Sequence, residues 1–171
     1  MKKIIAGVDE VGRGSLIGPV YAAAIILNKQ VNKKKLKDSK KISKKNREIL
    51  EIYIKKNSIW AIGSASLKEI EKYNILNASL LAMKRAIKKL KKKPQIVLID
   101  GNRLPKIENY KLKNVIKGDQ KIPEISAASI IAKVSRDRLV EKMSKKFRNY
   151  CWDRNFGYGT KDHIRAIKNL V

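Results

Sequence analysis

Only 15 acidic residues stand against 41 lysines and arginines in this 171-residue chain, so the places where a carboxylate interrupts an apolar run are informative. Asp9 and Glu10 follow Ile4-Ile5-Ala6-Gly7-Val8, and Asp100 follows Ile96-Val97-Leu98-Ile99. A carboxylate at the end of a buried strand is costly unless a basic residue or a cation neutralises it. A cluster of three or four carboxylates without His or Cys suits hard divalent ions such as Mg²⁺ or Mn²⁺. Two such ions about 4 Å apart can activate water and stabilise the leaving oxygen in phosphodiester hydrolysis. Strand-terminal ion pairing or capping is the structural alternative, and spacing alone leaves both open. Adjacent side chains of a regular strand point to opposite faces. Asp9 and Glu10 are therefore expected to share a centre only if the strand breaks there, between Gly7 and Gly12.

Beside the first acidic pair lies Gly12-Arg13-Gly14-Ser15-Leu16-Ile17-Gly18. Two glycines around Arg13 let backbone approach a ligand closely while the guanidinium grips phosphate. The stretch misses G-x-G-x-x-G by one residue and lacks Gly-Lys-Ser/Thr, so dinucleotide and P-loop readings are poor; an ordinary tight turn is the other reading. A single histidine, His163, and a single cysteine, Cys151, exclude multi-His metal centres, Cys-based zinc sites and a disulfide scaffold. The formal net charge of +26 points to a polyanionic partner, nucleic acid above all. Aromatic residues make up only 6%, which disfavours a base-stacking platform and favours contact with a duplex backbone. With no apolar run near the roughly 18 residues of a membrane span and no signal-peptide pattern, a cytoplasmic chain without membrane contact is expected.

The elements that must position these residues alternate β and α. Strands are expected over 3–8, 20–27, 59–65, 95–99 and 112–116. Ser43 caps a helix to about Lys56, and Ser66 with Glu69 has capping-box spacing. Asn74 interrupts that helix, and a second runs from about Asn77 to Lys92. Ser126 to about Phe147 reads as a long, largely buried helix, and Thr160 caps the last one. The expected architecture is α/β, one sheet with helices on it.

The motifs occur in a recognisable order. G-V-D-E-V-G-R-G-S-L-I-G-P-V, Asp38-Ser39-Lys40-Lys41, Asn74-Ile75 and Val97-Leu98-Ile99-Asp100-Gly101-Asn102 come first. Lys117-Gly118-Asp119, the segment from Ser126 to Asp137, and Gly157-Tyr158-Gly159-Thr160 with His163 follow. This series resembles the type 2 ribonucleases H, the bacterial ribonuclease HII group, from residue 4 to residue 163.

The resemblance implies a ribonuclease H-like fold, a central mixed sheet flanked by helices, in a single catalytic domain over 1–171. Within it, 140–171 would be a C-terminal helical segment packing on the rest and bearing the Tyr158 loop. It implies hydrolysis of RNA in RNA–DNA hybrids and incision 5′ of single ribonucleotides in duplex DNA. The products would be a 5′-phosphate and a 3′-OH, in the service of ribonucleotide removal and RNA primer degradation. Asp9, Glu10, Asp100 and Asp119 match the four catalytic carboxylates that hold Mg²⁺ or Mn²⁺, with Asp9 bridging two ions.

Gly12, Arg13 and Gly14 match the motif that touches the ribose 2′-OH and the junction phosphate. Tyr158 matches the tyrosine that packs on the following deoxyribose, and its flanking glycines favour an exposed loop. Ser39, Lys40 and Asn74 are expected to contact backbone phosphates, and Lys133 equally to neutralise the carboxylates. Asp137 reads as a structural ion-pair residue, and His163 as support for the Tyr158 loop rather than as an acid or base. The expected partners are RNA–DNA hybrid and ribonucleotide-containing duplex, bound by a monomer; contact with a replication clamp is not legible. From charge alone, a non-catalytic basic duplex-binding protein is the alternative. The sister ribonuclease HIII type is the nearer rival, disfavoured by the intact Gly-Arg-Gly motif.

Overall fold

The computed structural model describes residues 3–36 and 42–170, so Ser39 and Lys40 lie outside the described residues. Five strands, β1 (Ile5–Val11), β2 (Val20–Leu27), β3 (Ser58–Ala65), β4 (Ile96–Asp100) and β5 (Leu112–Val115), form one sheet in the order β3-β2-β1-β4-β5. β1 pairs antiparallel with β2, and β2 with β3, whereas β1–β4 and β4–β5 are parallel. The sheet is therefore mixed. Ala-rich, β-branched strands allow helices to close on both faces.

α1 (Lys44–Lys56), α2 (Leu67–Lys88) and α4 (Pro123–Ser144) supply those layers, with the short α3 (Gly118–Lys121) leading into α4. One core joins Ala6, Val8, Ala22, Ala24 and Ile99 to Ala82, Met83 and Ile87 of α2. The other joins Ala23 and Ile25 to Ile54 of α1 and Ala127, Ile130 and Ile131 of α4. Alternate residues of β2 thus serve opposite cores, as the two-residue period of a strand requires. Gly7 explains how closely α4 sits: a Cβ there would lie 2.1 Å from the carbonyl carbon of Glu124. Its role is close packing, not the strand break expected from its position.

Local signals set the helix ends. The Ser43 side chain accepts from the Asn46 N–H, and Ser66 with Glu69 forms a complete capping box. Asn74 adopts φ 65° and ψ 166° within α2, and its Oδ1 accepts from the Asn77 N–H, restarting the helix. α4 begins at Pro123, three residues before the expected Ser126, with proline in the first turn where its missing N–H costs nothing. After α4 come a 3-10 turn at Arg148–Tyr150, α5 (Trp152–Asn155) and α6 (Lys161–Leu170). No helix among the described residues is long and apolar enough to cross a membrane.

Candidate active site

The parallel ladder between β1 and β4 runs from Ile5–Ile96 to Val8–Ile99 and stops. Asp9 and Asp100 are the next residue on each strand. With Val8 and Ile99 both in the α2-side core, alternation turns Asp9 and Asp100 toward α4. Glu10, by the same alternation, starts on the other face. β1 does not break at the pair: its ladder to β2 continues through Asp9–Ala23 and Glu10–Ala22 to Val11–Tyr21. What ends is the neighbour on the β4 side, and that open flank lets Glu10 reach the same cavity. Asp9, Glu10 and Asp100 all line a cavity of about 400 Å³, together with Arg47, Lys133 and Tyr158.

Each carboxylate has a donor of its own. Asp9 accepts from the Glu10 N–H at 2.7 Å and from the Ser129 hydroxyl of α4. Glu10 accepts from Arg13 at 3.3 Å, and Asp100 from the Gly118 N–H at 2.6 Å. These donors do not neutralise the cluster. Burial first, and then the negative charges of Glu10 and Asp100, hold the Asp9 carboxyl well above the usual carboxylate range. Burial also raises Glu10, opposed by Arg13. Asp119 is buried in α3, beside the Gly118 that Asp100 grips, and does not line the cavity. Among the described residues, no three Asp, Glu, His or Cys side chains are drawn together tightly enough to form a metal shell as they stand. The donor set nonetheless fits a hard divalent cation, being all oxygen with a negative field that like charges alone cannot relieve.

The Gly12–Gly14 turn reaches the cavity through Tyr158. Gly12 has φ +104°, and a Cβ on it would fall 2.6 Å from Arg136 Nε. Ser15 and Tyr158 form an isolated β-bridge, the Leu16 N–H donates to the Gly157 carbonyl at 2.8 Å, and Tyr158 hydrogen-bonds the Gly12 backbone. Arg13 itself is exposed. Gly157 is buried and Tyr158 half-buried, not the exposed loop expected from the flanking glycines. The reason is Arg136 of α4, which is fully buried. Its guanidinium donates to the carbonyls of Ile17 (2.9 Å), Phe156 (3.1 Å) and Pro19 (3.3 Å), tying the glycine turn to the tyrosine loop. It also lies 5.6 Å from the centre of the Tyr158 ring.

His163 is fully buried, with Nε2 accepting from Trp152 Nε1 at 2.9 Å. Indole N–H is only a donor, so the imidazole proton sits on Nδ1 and is given to the Tyr158 carbonyl at 3.0 Å. This is a fixed, neutral support under the loop. Lys133 donates to Asp137 at 2.8 Å rather than to the carboxylate cluster, and Arg47 lies 3.9 Å from the same acid. Asn74 does not line the cavity. Ser129, Arg47 and Arg136 were not singled out from the sequence. The one available signal was Arg136, in the Arg-Asp pair where the apolar first half of α4 gives way to charged residues.

The ribonuclease HII family model matches residues 6–171. Ribonuclease HII from Pelagibacter ubique is 75% identical over 168 residues, covering 98% of this chain and 90% of its own. That from Rickettsia bellii is 50% identical, covering 96% and 83%. Among solved structures, the ribonuclease H2 of Pyrococcus horikoshii superimposes with TM-score 0.80 at 28% identity, covering 94% of this chain and 83% of that one. The PCNA:ribonuclease HII complex of Archaeoglobus fulgidus gives 0.74 at 27%, covering 97% and 87%. Bst ribonuclease HIII in complex with Mn²⁺, at 20% identity, TM-score 0.73 and coverage of 84% and 55%, shares the fold alone. The mixed sheet and its helices are thus a ribonuclease H-like fold, and the chain belongs to the ribonuclease HII family, endoribonucleases of the ribonuclease H type.

Proposed function

We propose that this ribonuclease H cuts the RNA strand of RNA–DNA hybrids and incises duplex DNA 5′ of a single embedded ribonucleotide, leaving a 5′-phosphate and a 3′-OH. It acts as a cytoplasmic monomer in ribonucleotide removal and RNA primer degradation, with 1–171 one catalytic domain on which 140–171 packs. The observation that carries this reading is the convergence of Asp9, Glu10 and Asp100 on one cavity beside Tyr158.

Asp9, Glu10, Asp100 and Asp119 are the residues that would hold Mg²⁺ or Mn²⁺. An ion held there supplies Lewis-acid activation of water and charge neutralisation at phosphorus. The rest is the chain's own work. The +26 surface draws in the duplex. Arg13, which already reaches Glu10, grips the phosphate at the junction. The backbone of Gly12 and Gly14 meets the ribose 2′-OH, the group that separates RNA from DNA locally. Tyr158, held from behind by Arg136 and His163, packs against the next deoxyribose. Asn74, Ser39 and Lys40 contact backbone phosphates.

The test is a labelled DNA duplex with one internal ribonucleotide, incubated with Mg²⁺ or with EDTA. A metal-dependent nick on the 5′ side of the ribonucleotide is expected. Cutting of an all-RNA hybrid strand alone would shift the assignment toward the ribonuclease HIII type, and binding without any cutting would contradict the catalytic reading.

A further inference from the structure

Asp137 is nine-tenths buried on α4, yet it touches none of the carboxylates of the site. Among the described residues its ion-pair partners are two cations from different helices: Lys133, one turn earlier on α4, at 2.8 Å, and Arg47 of α1 at 3.9 Å. Both cations line the cavity that holds Asp9, Glu10 and Asp100, whereas Asp137 does not. One carboxylate between two cations leaves positive charge over on the cavity side. Lys133 is fixed further by the rings beneath it, Phe156 at 4.9 Å and Tyr158 at 5.4 Å from its ammonium. Arg47 is fixed by donating its Nη2 to the Ile42 carbonyl at 3.0 Å. Two long side chains are thus ordered before any ligand arrives, which removes much of the entropy cost of gripping one.

We propose that Arg47 and Lys133, positioned by buried Asp137, form a binding subsite for a backbone phosphodiester of the substrate strand, separate from the Gly12–Gly14 turn. The proposal rests on the reading of this cavity as the place where the cut strand lies. Asp137 is a positioning residue: it keeps both cations on the cavity wall and holds the Lys133 ammonium away from Asp9 and Glu10. Guanidinium and ammonium groups with spare donors are the pair of side chains best suited to phosphate oxygens.

Removing Lys133 alone leaves Asp137 with less compensation in the interior, so the test uses Lys133→Gln/Asp137→Asn. This double variant keeps a hydrogen-bonding pair and the net charge of the chain. Arg47→Gln and Lys133→Arg accompany it. Binding of a DNA duplex with one ribonucleotide is measured in EDTA across a KCl series, and kcat and KM for its cleavage in Mg²⁺. The double variant and Arg47→Gln should each bind about tenfold more weakly, with the slope of log K against log salt flatter by about 1. KM should rise while kcat changes little, and Lys133→Arg should retain the wild-type slope. Wild-type slope and KM in both variants, or a change confined to thermal stability, would overturn the proposal. Binding is read without cleavage, so a wild-type protein that fails to cut contradicts the reaction assigned above, while the salt slopes still judge the subsite.

Discussion

Asp9 and Glu51 are both acids in the interior, 6% and 1% exposed, and they live under opposite conditions. Glu51, in the middle of α1, meets Lys55 at 2.5 Å and both terminal nitrogens of Arg138 at 3.0 and 3.1 Å. Burial pushes its carboxyl up, but those two cations outweigh it and hold it below the ordinary value. Among the described residues Asp9 has no such company. Burial and the charges of Glu10 and Asp100 all push the same way, and its hydrogen bonds to Ser129 and the Glu10 N–H do not compensate. On the function proposed above, charge buried for architecture is satisfied by the fold, and charge buried for chemistry is left wanting a cation.

The contrast is sharpest in activity. Asp9→Asn should reduce incision by about a thousandfold or more while leaving duplex affinity close to wild type, because affinity belongs to the basic surface. Gel-shift and single-turnover assays on one preparation separate the two. Near-wild-type cutting by this variant would break the comparison at its functional end.

Glu51→Gln should do the reverse. It removes the shared partner of Lys55 and Arg138, both partly solvated, so about 2 kcal/mol of stability is expected to be lost. That lowers Tm by about 4–8 °C in a chain of this size, with kcat unchanged within about twofold at a temperature where the variant is folded. A large loss of kcat would mean that the α1–α4 ion pair also shapes the cavity.

How far these roles were legible in the sequence follows from the range of the signals. Ser43, the Ser66–Glu69 box and the Asn74 break act within three or four residues, so the elements they bound could be read directly. Asp9, Glu10 and Asp100 stand out because an acid at the end of an apolar run is conspicuous in any context. Their convergence was not legible from spacing. It depends on β1 lying parallel to β4 and outrunning it by a few residues, a property of sheet order. Arg136, Ser129 and Arg47 escaped for the same reason: each has at least one partner carbonyl or carboxylate across the fold, more than 80 residues away in the chain. The short helix carrying Asp119 is four residues long, too brief for any periodic signal.

Two smaller effects concern pH. The folded-state pKa of Asp9 lies above its unfolded value, so its contribution to stability is fully present below the unfolded pKa. That contribution is lost as pH rises through the folded pKa. At neutral pH in EDTA this raised pKa makes Asp9 a net cost to the fold, and Asp9→Asn should raise Tm by a few degrees. No rise would mean the cluster is neutralised in some other way. Glu69, on the surface, shows the opposite sign: Arg85 first, then the Ser66 N–H, bring its carboxyl down to about 2. Its contribution is present above the unfolded pKa and fades only as pH falls through about 2. Carbon-detected titration should find it ionised at pH 3.

The most direct test of the central claim is thermal unfolding of the wild-type protein, Asp9→Asn and Glu51→Gln with and without Mn²⁺. A cation that binds only the folded state raises Tm in proportion to its affinity. The wild type and Glu51→Gln should shift upward together, and Asp9→Asn should shift little or not at all. Equal shifts in all three, or none in the wild type, would contradict the assignment of the unsatisfied acid as the functional one.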